Sequence, residues 1–189
     1  MSGQFQRLEA KDRKEWHQWL EENHTTSSGI WLVYYKKGSG KPTVSYEEAV
    51  EEALSFGWID SKMNALDEER YMQVFTPRKV GSIWSKLNQQ RVKKLTDQGL
   101  MTPTGLQKVE MAKKDGSYYF LDDIEDMVIP DDLKDALDSN DTARTNFNAF
   151  NDSVKKQILY WIKTAKREDT RKNRIQKTVL RAADNKSPL

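Results

Sequence analysis

Asp60 and Arg78 are the residues of this 189-residue chain best placed to do chemistry together. A carboxylate beside a guanidinium keeps its charge, and such a pair can orient a polar ligand or position a proton acceptor. The segments around them, Phe56 to Lys62, Arg70 to Lys79 and Ser82 to Asn88, mix aromatic, charged and hydroxyl side chains more densely than a plain core or a plain surface needs. Concave sites have this make-up, with apolar walls that exclude water and a few polar groups that fix orientation. Trp58, Asp60, Arg78, Trp84, Ser85 and Asn88 are therefore the candidate binding residues, for a small ligand or a peptide of unknown identity. An ordinary structural ion pair accounts for Asp60 and Arg78 as well, since such pairs are common away from functional sites. No catalytic signature accompanies the cluster, so a non-enzymatic binding module is the first reading. A small enzyme using an Asp60/Arg78 pocket is the alternative.

A second pattern lies near the C-terminus. Lys163, Arg167, Thr170, Arg174, Lys177 and Arg181 follow a 4,3,4,3,4 spacing that lines one face of a helix, provided the helix is continuous. Arg167, Arg171, Arg174 and Lys177 are the candidates for holding a polyanion such as a nucleic-acid backbone or an anionic surface. Glu168-Asp169-Thr170 could interrupt the helix, because Asp169 or Thr170 can cap a new one. The total charge of +2 hides a strong asymmetry: Ser117 to Asp152 holds ten acidic residues against Lys134 and Arg144, and Ser153 to Leu189 holds eleven basic against three acidic. Mutual compensation between the two blocks is the plainer reading of the basic stripe.

Several chemistries are excluded or unsupported. The chain has no cysteine, so disulfides, thiolate nucleophiles and cysteine-ligated zinc are ruled out. His17 and His24, the only histidines, lack a third ligand in any metal-binding spacing, and His17 between Trp16 and Trp19 reads as packing or surface. Lys36-Lys37-Gly38-Ser39-Gly40-Lys41-Pro42 fails as a phosphate loop, because Pro42 stands where serine or threonine is required. No metal and no cofactor is expected. No run approaches the ~18 apolar residues of a membrane span, and the N-terminus lacks an apolar signal core, so the expected compartment is the cytoplasm.

The elements that must position these residues follow from caps and periodicity. Asp12 caps a first helix carrying Trp16, Trp19 and Leu20. Ile30 to Lys37 reads as a central strand, apolar on both faces. Ser45-Tyr46-Glu47-Glu48 is a capping box, and Gly57 stops the helix it opens. Trp58 to Lys62 and Arg70 to Phe75 predict two antiparallel strands joined through Leu66 to Glu69. Ser82 or Ser85 starts the next helix, and Thr102-Pro103 the one after. From Pro130 onward only helices are expected. The fold class is α+β, with a small antiparallel or mixed sheet packed with helices in residues 1–120, then an all-helical part in 121–189, the two together forming one compact domain.

These motifs also carry a likeness. Gly29-Ile30-Trp31-Leu32-Val33-Tyr34, Ser45-Tyr46-Glu47-Glu48-Ala49, Ala53 to Asp60, Phe75-Thr76-Pro77-Arg78, Trp84 to Asn88 and the tail Ala165 to Ile175 together resemble the YdeI/OmpD-associated, or bacteriocin-protection, family. The resemblance implies a link to protection against bacteriocins or cationic antimicrobial peptides. It brings no established catalytic residues to carry over.

Overall fold

The computed structural model describes residues 5–189. Part of the N-terminal stretch used to argue against an export signal, residues 1–4, lies outside the described residues. The chain divides into two compact units, the first ending at Tyr119 and the second running Phe120–Leu189.

The first unit is built on a four-stranded sheet in the order β1-β2-β4-β3. The strands are β1 (Arg7–Glu9), β2 (Ile30–Tyr35), β3 (Trp58–Ala65) and β4 (Arg70–Pro77). β1 runs parallel to β2, whereas β4 is antiparallel to both β2 and β3, so the sheet is mixed. β1 has no counterpart in the sequence reading, because three residues are too few to show an alternation. β2 is central, and its side chains divide between two cores as a strand covered on both faces must. Ile30, Leu32 and Tyr34 join the larger core with Phe75 and Trp58. Trp31 and Val33 pack with Met72 and Val74 on the opposite face.

Among the described residues four helices belong to this unit: α1 (Arg13–Asn23), α2 (Tyr46–Ser55), α3 (Lys86–Asp97) and α4 (Pro103–Asp115). Their starts are local. The side chains of Asp12, Ser45, Ser85 and Thr102 each accept from a backbone N–H three residues on, and Ser45 and Glu48 form the reciprocal capping box. Each such cap stabilises its helix by ~1 kcal/mol. Trp16, Leu20, Ala49, Val50, Ala53 and Leu54 then bury one face of α1 and of α2 against the sheet. Burial of a large apolar side chain contributes about 1.5–3 kcal/mol each, which makes this the main source of the unit's stability. α4 is drawn close to the end of α2, where the Ser55 carbonyl accepts from both the backbone N–H and the hydroxyl of Thr102, at 3.1 and 2.7 Å. His17 Nδ1 lies 2.6 Å from Glu52 Oε2 and its ring meets Phe56 edge-on, so this histidine ties α1 to α2.

The second unit is helical among the described residues: α5 (Asp122–Glu125), α6 (Asp131–Asp138), α7 (Asp141–Ala149), α8 (Asp152–Lys163) and α9 (Glu168–Ala183). Its own core gathers Leu133, Leu137, Phe147, Ile158, Ile162 and Ile175. The basic stripe does not lie on one continuous helix. α8 ends at Lys163 and α9 begins at Glu168, and Arg167 occupies the N-cap position without a side-chain cap.

Candidate functional site

The helix-covered face of the sheet carries the polar cluster, and register puts it there. Tyr34 of β2 stands opposite Tyr71 of β4, Leu32 opposite Gln73, and Asp60 of β3 opposite Phe75. Asp60 and Gln73 are thus diagonal neighbours on one face, within side-chain reach. Asp60 Oδ2 accepts from Gln73 Nε2 at 2.6 Å and from the Tyr46 hydroxyl, at the start of α2, at 3.1 Å. Tyr34 is 1% exposed and stacks on Tyr71 with ring centroids 4.9 Å apart. Among the described residues its hydroxyl has no hydrogen-bond partner. Burial, followed by the neighbouring Tyr71, Asp60 and Tyr46, pushes the Tyr34 phenol well above the ordinary tyrosine range.

Arg78 leaves the end of β4, where its backbone N–H donates to the Gly57 carbonyl at 2.9 Å. That bond fixes the arginine beside the turn between α2 and β3. Its side chain is buried, with the guanidinium carbon 3.5 Å from the centroid of the Trp84 ring. One terminal nitrogen donates to Ser82 Oγ at 3.4 Å, a long contact, and Nε has no partner among the described residues. Burial lowers its pKa to about 10, with the charge of Asp60 acting in the opposite direction. A cavity of about 10 Å3 adjoins it, walled by Lys79, Gly81, Trp84, Lys108 and Met111. That is room for roughly one water.

The other residues singled out by sequence are placed as follows. Trp58 is 1% exposed, meets Trp19 edge-on at 5.7 Å and donates its indole N–H to the His24 carbonyl, so it is a core residue that ties β3 to α1. Ser85 Oγ caps α3 by accepting from the Asn88 N–H at 3.3 Å, and the Asn88 side chain accepts from Arg91 at 3.0 Å. Both hydroxyl and amide are engaged in the first turn of that helix. The structure forms two clusters that feel each other's charge without a hydrogen bond or ion pair between them among the described residues: Asp60 with Tyr46 and Gln73, beside the Tyr34–Tyr71 stack, and Arg78 with Trp84 and Ser82. Tyr34, Tyr46 and Gln73 are not among the residues singled out by sequence. A signal for one of them was present. Gln73 is in phase with Tyr71 and Phe75, a polar residue on the inward side of an otherwise apolar alternation.

In the second unit the cations are largely engaged. Arg171 grips Asp132 with two nitrogens, at 2.6 and 2.8 Å. Arg174 donates to the Trp161 carbonyl near the end of α8 and to Thr164 Oγ1, with its guanidinium 5.1 Å from the Trp161 ring centroid. Lys177 approaches the same ring at 5.5 Å, and Lys163 pairs with Asp123 at 2.9 Å. Arg167 is exposed. A groove of about 680 Å3, lined by Leu121, Ile124, Tyr160, Trp161 and Leu189, lies wholly within this unit. Among the described residues no group of three or more His, Cys, Asp or Glu could hold a metal ion, and no helix is long and apolar enough to cross a membrane.

A mixed sheet with capped helices on one face, followed by a helical unit, defines an α+β protein. By family it falls under two models. Residues 8–108 match the one described as Domain of unknown function (DUF8412), and the chain belongs to that family. Residues 126–185 match the model described as Bacteriocin-protection, YdeI or OmpD-Associated, the family that the sequence motifs resemble. No curated protein and no solved structure matches the chain.

Proposed function

We propose that the protein is a cytoplasmic, non-enzymatic binding module that contributes to protection against bacteriocins or cationic antimicrobial peptides. Its ligand, a small molecule or part of a peptide, sits at the Tyr34, Asp60 and Arg78 face of the first unit. One observation carries this reading. Two buried polar groups without partners among the described residues, the Tyr34 hydroxyl and Arg78 Nε, each lie within electrostatic reach of the Asp60 carboxylate. Leaving a buried donor unmade costs about 1–3 kcal/mol, and more for a charged group. A ligand that meets either group recovers part of that energy on binding. Asp60 spends Oδ2 on two fixed donors, Tyr46 and Gln73, an arrangement suited to orienting a ligand rather than to shuttling protons. The protective role is supported by the family description that covers residues 126–185.

A thermal-shift screen of small molecules and short peptides tests the site, since a ligand present at a hundred times its dissociation constant adds about 2.7 kcal/mol. Hits should be lost in Asp60→Asn and Arg78→Gln. Cells expressing the wild type should survive a bacteriocin or cationic-peptide challenge better than cells expressing either variant, with the protein recovered in the cytoplasmic fraction. Equal survival with wild type and both variants, in the absence of any ligand hit, would sink the reading.

A further inference from the structure

Arg78 is 4% exposed, yet among the described residues no carboxylate lies within ion-pair distance of it. A buried charge without a partner costs several kcal/mol, and folds ordinarily avoid it by supplying a counter-charge. Asp60 is the natural candidate for that role, but its Oδ2 is engaged by Tyr46 and Gln73, and it acts on Arg78 only through space. Trp84 covers a face of the guanidinium at 3.5 Å. A guanidinium carries its N–H donors in its own plane, so stacking supports it without satisfying any of them. Nε is unspent and one terminal nitrogen has only the 3.4 Å contact with Ser82.

The wall beside Arg78 is mixed but cationic on balance: Lys79 and Lys108 line the small cavity together with one carboxylate, Asp115. Asp115 keeps its negative charge, its oxygens accepting from the Gly81 N–H at 3.0 Å and from the Ser117 N–H at 2.9 Å. The segment over the cavity, residues 79–83, contains no helix or strand and is pinned by the Gly81 bond to Asp115 and by Ser82 N–H to the Lys79 carbonyl at 3.2 Å. Gly81 sits there at φ +74° with open space around it, a conformation that side-chain-bearing residues rarely adopt. The present cavity admits about one water, so an occupant larger than that requires this segment to shift.

We infer that Arg78 is the receptor for an oxyanion, a carboxylate or phosphate group carried by the ligand, which pairs with the edge of the guanidinium beneath residues 79–83. The inference rests on the reading that a ligand binds at this face of the sheet, and it names the chemistry of one end of that ligand. Planar two-point pairing of guanidinium with carboxylate or phosphate is the strongest neutralisation open to Arg78, and Lys79 and Lys108 add a favourable field. Asp60 repels an acid group from one direction; on the cavity side the two lysines outnumber the single carboxylate of Asp115.

The test uses the full chain, labelled with nitrogen-15, titrated with inorganic phosphate and separately with acetate at constant ionic strength. The Arg78 Nε–H resonance and tryptophan fluorescence are the readouts. A saturable shift of Nε–H is expected with at least one of the two anions, and the one that saturates at lower concentration identifies the group. Arg78→Lys, which keeps the charge but loses the fork, should weaken binding by about tenfold or more while circular dichroism shows an unchanged fold. A linear drift without saturation, meaning an adventitious ion only, overturns the inference, as does saturation that survives Arg78→Lys undiminished. If neither anion moves Nε–H while a neutral or cationic screening hit shifts Tyr34 and Asp60, the oxyanion site is wrong and the binding module stands. If an anion saturates Arg78 but Arg78→Gln leaves protection intact and no organic ligand is found, the oxyanion site stands and the binding module falls.

Discussion

Asp60 and Arg78 feel each other's charge without forming an ion pair: the carboxylate is held by Gln73 and Tyr46, and the guanidinium rests on Trp84. The distinction has a measurable consequence. Removing one member of a buried ion pair destabilises by about 3–5 kcal/mol, because the other is stranded. Here burial, opposed in part by the charge of Asp60, lowers the Arg78 pKa to about 10, which corresponds to a net charge-burial cost of roughly 3 kcal/mol, partly offset by up to about 2 kcal/mol from stacking. Arg78→Met should therefore change stability in urea at pH 7 by no more than about 1–2 kcal/mol in either direction. The sign with pH follows from a lowered base. The penalty is in full force below about pH 10, and it is relieved only as the folded protein sheds the proton above that point. A loss of several kcal/mol in Arg78→Met would mean that the arginine is a structural partner after all.

Tyr34→Phe isolates the other unmade donor. Deleting a buried hydroxyl that bonds to nothing removes a desolvation cost and leaves the ring stacked on Tyr71. Stability by urea denaturation should hold steady or rise by up to about 1 kcal/mol, while affinity for a ligand found by screening falls. A destabilised Tyr34→Phe would show that the hydroxyl has a partner in solution, such as an ordered water.

The contrast between these residues and the caps explains what the chain disclosed in advance. Asp12, Ser45 with Glu48, Ser85 and Thr102-Pro103 act within three residues of themselves, so their roles are written locally. The central character of β2 and the antiparallel pairing of β3 with β4 also follow from patterns a few residues long. The site does not. Tyr34, Tyr46, Asp60 and Gln73 come from four elements, and they meet only because β4 inserts between β2 and β3. That order is a long-range fact which alternation within a strand does not encode. The break between α8 and α9 is legible only as an alternative: capping residues at Asp169 and Thr170 allow for it, but Thr164 to Arg167 contains neither glycine nor proline, and the cap falls on Arg167, which has no side-chain cap bond.

Gly105 gives a sharp test of the packing that holds α4 near the site. A Cβ at this position would stand 2.1 Å from the Ser55 carbonyl oxygen, a backbone atom that also serves Thr102. In an unconstrained helix glycine to alanine is favourable by up to ~1 kcal/mol, so propensity and packing make opposite predictions. Packing should win, with Gly105→Ala losing about 2 kcal/mol or more in denaturant unfolding. A stabilised variant would show that α4 moves away from Ser55 at little cost.

The clasp between Asp132 and Arg171 is expected to tune the second unit by pH. The Arg171 hydrogen bonds hold the Asp132 carboxyl below its ordinary range, against some opposition from burial. A lowered acid contributes stability that is complete above the unfolded-state pKa and is lost as pH falls through the folded one. Both side chains are partly exposed, so solvent screening limits the contribution to about 0.5–1 kcal/mol. Asp132→Asn should be less stable than wild type by that amount at pH 7, with the gap closing at strongly acidic pH. A gap that persists unchanged at low pH would assign the effect to something other than this charge.

Between Asp60 and Met63 strand β3 takes three steps while β4 takes two, from Phe75 to Gln73. One residue is absorbed there without a partner, which bends the strand and resets which side chains point inward. Because of that spare step, the two halves of the hairpin keep time independently. A one-residue insertion or deletion beyond Met63 changes only the outer half, whereas one between Trp58 and Asp60 turns the carboxylate to the opposite side of the sheet. The hairpin thus behaves as two gears with a clutch between them, and the gear nearer Gly57 is the one that carries Asp60.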